Sequence, residues 1–194
     1  MKTGMIWAIL FTIFSNIIYP FLSTSYTKFI VFKNPLESVA SINYTLGYQV
    51  GIVYQTLYGE KRKELRCNYF NETTYLPNGF PAYKSDTYTV IYNKYNPDYF
   101  IIDFTKPDDI LKDKLLKSCL EVITREPEKF NNISREKASY FLKDIMNHFG
   151  INGLSMIYNH STKFYHNIKY NSLVFYFFKK NKSYRNLLDK YTEN

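Results

Sequence analysis

The residues able to do chemistry are few and scattered. His148, His160 and His166 are the only histidines, and no pair has the i, i+4 spacing that sets two imidazoles around a metal on one helix face. Cys67 and Cys119 stand far apart, and two thiols are too few for a four-thiolate site. There is no Gly-rich phosphate loop and no G-x-S-x-G nucleophile turn. Asp103 and the pair Asp108–Asp109 are the notable acids, and paired carboxylates can do general acid–base work. Directly after Pro107, however, Asp108 and Asp109 fall where a helix start uses acids to meet its positive dipole end. The sequence thus predicts no catalytic residues, no cofactor and no metal.

Two further groupings concern binding and stability. If the folded region is exported, Cys67 and Cys119 can form a disulfide tying helix to sheet; the alternative is two free buried thiols. The closed loop of about fifty residues would contribute on the order of 4 kcal/mol. Net charge is +8 with pI near 9.2, and most of it lies after His160. Lys163, Lys169, Lys179, Lys180, Lys182 and Arg185, with Phe175, Tyr176, Phe177 and Phe178 interleaved, form a candidate basic patch for anionic lipid or an acidic protein partner. An exported chain meets little nucleic acid, so none is expected as a partner.

The elements that would carry these residues follow from periodicity. The chain has 194 residues, is 45% hydrophobic and 22% charged, and falls within globular averages, which excludes a disordered chain. From Thr3 to Thr27 there is no charged side chain. Residues 4–22 span roughly 28 Å as a helix, about one hydrocarbon core, with Trp7 near one end and Tyr19 and Tyr26 near the other. Residues 1–27 read either as an uncleaved transmembrane anchor or as a secretory signal cleaved near Ser25. Either predicts a cell-envelope location, membrane-anchored with the folded region extracytoplasmic, or secreted or periplasmic after cleavage.

Tyr44 to Tyr58 alternates with period two and predicts one long strand, with Gly47 and Gly51 marking a bulge or bend. Gly59-Glu-Lys61 predicts a turn into a second strand carrying Leu65, Cys67 and Tyr69. Asp86–Asn93 and Tyr99–Phe104 predict the third and fourth. The segments GIVYQTLYG and DTYTVIYNKYNPDYFIIDF, with Tyr88, Val90, Tyr92, Asn96 and Pro97 in a Y-x-V-x-Y-x-x-x-N-P arrangement, resemble small membrane-tethered bacterial β domains of unknown function. That resemblance covers about residues 41–104, implies a location and a β fold, and brings no activity with it.

After Phe104 the period becomes 3.6. A helix opening at Pro107 with a Leu111, Leu115, Cys119, Val122 stripe is expected to pack on the Tyr/Val face of the long strand. A second helix is capped by Ser134 and ended by Gly150. Leu154, Ile157 and Tyr158 suggest a third helix, and Tyr184, Leu187, Leu188 and Tyr191 a last one. Residues 173–178 read as helix or strand. The predicted class is α+β: an N-terminal membrane segment, a four-stranded antiparallel sheet (meander or small barrel) at 41–104, and a three- to four-helix region at 105–194. The expected role is a non-catalytic envelope protein that binds or scaffolds. An immunity or inhibitor protein neutralising a toxin, and an envelope hydrolase with an unrecognised site, are the alternatives.

Overall fold

A computed structural model describes residues 2–161 and 178–192. The chain begins with a helical rod: α1 (Lys2–Ile13), a π turn (Phe14–Ile18) and α2 (Tyr19–Lys33). Ile13 and Tyr19, at the two junctions, keep right-handed helical backbone angles. Pro20 accounts for the π turn: it offers no N–H to the carbonyl four residues earlier and its ring crowds that group, so the preceding turn widens. The single long helix expected over residues 4–22 is therefore divided between pieces of 12 and 15 residues. Among the described residues no helix is long and apolar enough to cross a membrane.

The end of α2 packs on two strands, Thr87–Asn93 and Phe100–Pro107. Val31 is fully buried, and the Asn93 carboxamide donates to the Ile30 carbonyl at 2.6 Å. Tyr26 meets Tyr99 edge to face at 6.0 Å. One residue, Asn34, then separates the helix from the first strand.

The main sheet has five antiparallel strands in the order β3-β2-β1-β6-β7, formed by β1 (Pro35–Leu46), β2 (Gln49–Thr56), β3 (Gly59–Arg66), β6 (Thr87–Asn93) and β7 (Phe100–Pro107). β4 (Asn68–Phe70) and β5 (Thr73–Tyr75) form a separate small hairpin. The expected four strands become five because the long strand predicted from Tyr44 to Tyr58 is a hairpin. Its turn is Gly47-Tyr48, where Gly47 takes a positive φ of 56° as primed two-residue turns demand. The periodicity hid this. Near the turn, partners pair even with odd, as in Thr45 with Val50 and Leu46 with Gln49. A bulge between Ile42 and Tyr44 adds one residue, so beyond it Ile42 pairs with Ile52 and Ala40 with Tyr54. Beyond the bulge even-numbered residues face the core in both strands, whereas between bulge and turn Tyr44 and Leu46 lie opposite Gly51 and Gln49 on the outer face. Being apolar, they extend the core alternation of Val50, Ile52 and Tyr54 across the turn.

The predicted second strand also breaks. Cys67 lies between β3 and β4, its N–H held by the Tyr48 carbonyl at 2.8 Å. The turn before β3 is Leu57-Tyr58 rather than Gly59–Lys61. The predicted strands at 86–93 and 99–104 correspond to β6 and β7.

Helices cover the inner face. Pro107 is the last residue of β7, not part of a first helical turn. Asp108 caps α3 (Asp109–Arg125), accepting from the Leu111 N–H at 2.7 Å, and also receives the Thr87 hydroxyl. A 3-10 turn (Pro127–Phe130) leads to α4 (Arg135–Ser161), which Gly150 breaks with φ 62°. The last helix is α5 (Lys182–Thr192). Leu111, Leu115, Cys119 and Val122 share one core with Ile42, Val50, Ile52, Tyr54, Val90 and Tyr92, together with Phe141, Leu142, Ile145 and Leu154 of α4. The loop between β5 and β6 wedges into this core: Leu76 and Phe80 are buried, Asn78 donates to the Phe104 carbonyl at 2.8 Å, and Asn159 donates to Gly79 at 2.9 Å. Buried Asp86 anchors the loop to α3 through Lys114 at 2.6 Å. At the end nearest α2 the Tyr54 hydroxyl donates to the Pro97 carbonyl at 2.7 Å. Burial there pushes the Tyr54 hydroxyl up to about 12.

Candidate functional site

The residues singled out for chemistry do not converge. His148 is exposed, with Nδ1 2.9 Å from the Asp144 carbonyl of its own helix. His160 lies between the rings of Phe130 and Phe178, at 5.5 and 4.0 Å. His166 falls outside the described residues. Asp103 accepts from the Thr105 N–H at 3.0 Å within β7, while Asp108 serves as the helix cap. Among the described residues no group of three His, Cys, Asp or Glu side chains could hold a metal ion.

Cys67 and Cys119 are both free and buried. No disulfide joins them: the Cys119 thiol donates to the Leu154 carbonyl at 3.3 Å, toward α4 rather than the sheet. Burial raises both thiols above the ordinary cysteine range, so neither is a ready nucleophile. Of the basic patch, Lys163 and Lys169 lie outside the described residues, as do residues 173–177. Lys179, Lys180, Lys182 and Arg185 are exposed around the start of α5, and Phe178 is half-buried against Phe130 and Tyr184.

A concavity lies elsewhere, at the far end of the sheet from α2. A groove of about 730 Å³ is lined by Leu46, Gly47, Tyr48 and Gln49 at the β1–β2 turn, by Glu64, Leu65 and Arg66 of β3, and by Tyr69. A second depression of about 430 Å³ continues from it past Tyr48 and Arg66 to Asn68, Tyr75 and Pro77. Leu46 and Tyr48 are 68% and 55% exposed. The rings of Tyr48 and Tyr69 stand 5.5 Å apart and form one wall.

Hydrogen bonds to the turn's carbonyls fix this shape. The Thr74 hydroxyl donates to the Gly47 carbonyl at 2.7 Å, and the Cys67 N–H to Tyr48, so the hairpin tip is tied to the β4–β5 hairpin. Tyr44 crosses β2 over Gly51, and its hydroxyl donates to the Glu64 carboxylate. That hydrogen bond is the main cause of the raised Tyr44 pKa.

Sequence reasoning missed this site. It assigned Leu46 and Tyr48 to a buried strand face, where only Gly47 in the middle of the alternation signalled a turn. Neither a family model, nor a characterised protein, nor a solved structure matches this chain.

Proposed function

We propose that this is a non-catalytic cell-envelope protein, held at a membrane by its N-terminal rod, with the folded region outside the cytoplasmic membrane in a binding role. One observation carries the reading: from Ile6 to Tyr26 the described side chains are exposed nearly all round, Trp7 at 68% and Phe11 at 72%. The support comes from the rod as a whole, α1, π turn and α2 together. Those 21 positions cover about 31 Å at helical rise, close to a hydrocarbon core. Each large apolar side chain left in water forgoes about 1.5–3 kcal/mol of burial. Two of the polar residues within the run turn donors back onto helix carbonyls, Ser15 to Phe11 at 2.8 Å and Asn16 to Thr12 at 2.9 Å. Charges resume only at Lys28, where the rod meets the domain.

Fractionation with protease accessibility tests this. The expected result is a full-length chain in the membrane fraction, released by detergent but not by salt, with the folded region cut by protease added from outside. A mature chain beginning near Ser25 would replace the anchor with a cleaved signal. Recovery in the cytoplasmic soluble fraction would overturn the reading.

A further inference from the structure

We propose that the groove at the β1–β2 tip docks an extended acidic polypeptide segment of a partner protein, laid along the free edge of β3, with one of its carboxylates on Arg66. The proposal deepens the binding role proposed above and rests on it, but not on the membrane placement.

The charges of β3 single out Arg66. Lys61 and Lys63 both reach Asp98, at 3.4 and 2.8 Å. Arg62 pairs with Glu60 at 2.8 Å. Glu64 is engaged by the Tyr44 hydroxyl. Arg66 alone on this strand has no carboxylate within ion-pair distance among the described residues, and it is exposed where the two depressions meet. A guanidinium so placed is suited to bidentate capture of a carboxylate.

The surroundings favour a polypeptide. Among the described residues β3 ends the sheet, and its outer backbone groups can pair with an added strand. Tyr48 and Tyr69, in ring contact beside Arg66 at the end of β3, offer apolar contact to a side chain of that strand. Glu64 accepts from the Tyr44 hydroxyl and makes no ion pair with Arg66, which leaves the guanidinium for an incoming carboxylate.

The test is selection of random short peptides displayed on phage against the full chain in detergent micelles. The expected pool is rich in Asp or Glu alternating with aromatic or aliphatic residues. The best peptide, resynthesised, should bind Arg66→Gln about tenfold more weakly, and should weaken on addition of salt. Arg66→Gln should unfold at the wild-type temperature, since that side chain is exposed. Tyr48→Ser, which leaves the charge intact, should also weaken binding. An empty selection, a pool of neutral or basic peptides, or equal binding to Arg66→Gln would each overturn the proposal. So would Arg66-dependent binding of phosphatidylglycerol vesicles with no peptide enriched, which would assign the site to lipid. None of these outcomes bears on fractionation, so the two readings fail separately.

Discussion

Gly51 shows how much of the outer sheet face depends on a missing side chain. A Cβ there would lie 2.1 and 2.4 Å from ring carbons of Tyr44 and 2.5 Å from the Asn43 Oδ1. Gly51→Ala must therefore lift Tyr44 off β2 and separate it from Glu64. A destabilisation of about 1–3 kcal/mol is expected, read by urea unfolding. Gly47→Ala meets open space but keeps a positive φ, so its cost is backbone strain alone, about 1 kcal/mol. If Gly51→Ala proved no worse than Gly47→Ala, the account of Tyr44 would be wrong. His160 gives a pH dependence. Burial between Phe130 and Phe178 holds its pKa below the ordinary 6.5, Lys129 and Lys179 push the same way, and Glu126 opposes them. The unfolded chain then takes up the proton first. Its stabilising effect is complete above the ordinary histidine value and is lost as pH falls through the lower, folded value. Urea midpoints should drop between neutral and mildly acidic pH, and His160→Phe should flatten that drop.

Among the elements, α3 depends on its first residue. Asp108→Ala removes both the cap on Leu111 and the acceptor for Thr87, and about 1 kcal/mol of stability should go with it. Asp108→Asn, which can still accept from the Leu111 N–H, should restore most of it. If thermal melts of the two variants coincide, capping is not the reason. This helix was legible in the sequence because its stripe and cap are local signals, as they are for α4 with Ser134 and Gly150. β6 and β7 were legible for the same reason. The β1–β2 hairpin was not, since Tyr44 and Leu46, apolar residues on the outer face of β1, continue in sequence the alternation of the core residues Val50, Ile52 and Tyr54. The first half of β1 was missed because its core face is carried by small or polar residues, Ser38 and Ala40, that give little alternation. The groove went with them: Leu46 and Tyr48 look like core until the turn exposes them. The charge surplus after His160 was readable as a count, but a count does not say where side chains converge.

For the molecule as a whole, the rod and the folded region separate cleanly just before Tyr26. A chain starting at Thr24 keeps the Tyr26–Tyr99 contact, buried Val31 and the Asn93–Ile30 bond. It should stay in solution without detergent and unfold within a few degrees of the full chain. Starting at Pro35 instead removes Val31 and strands the Asn93 carboxamide, which should cost about 1–3 kcal/mol. Circular dichroism melts of the two truncations decide this, and equal stability would show that the end of α2 holds nothing in place.

Because a single residue joins α2 to β1, and β1 is the middle strand of the sheet, the rod and the sheet act as one lever. Side-chain contacts at Asn93 and Tyr99 brace the joint. The twelve residues of β1 extend about 40 Å beyond it. A tilt of the rod by about 20°, ordinary for helices in bilayers, would swing the far tip through roughly 14 Å. Whatever sets the tilt of the first helix therefore also sets how far, and in which direction, Arg66 is carried.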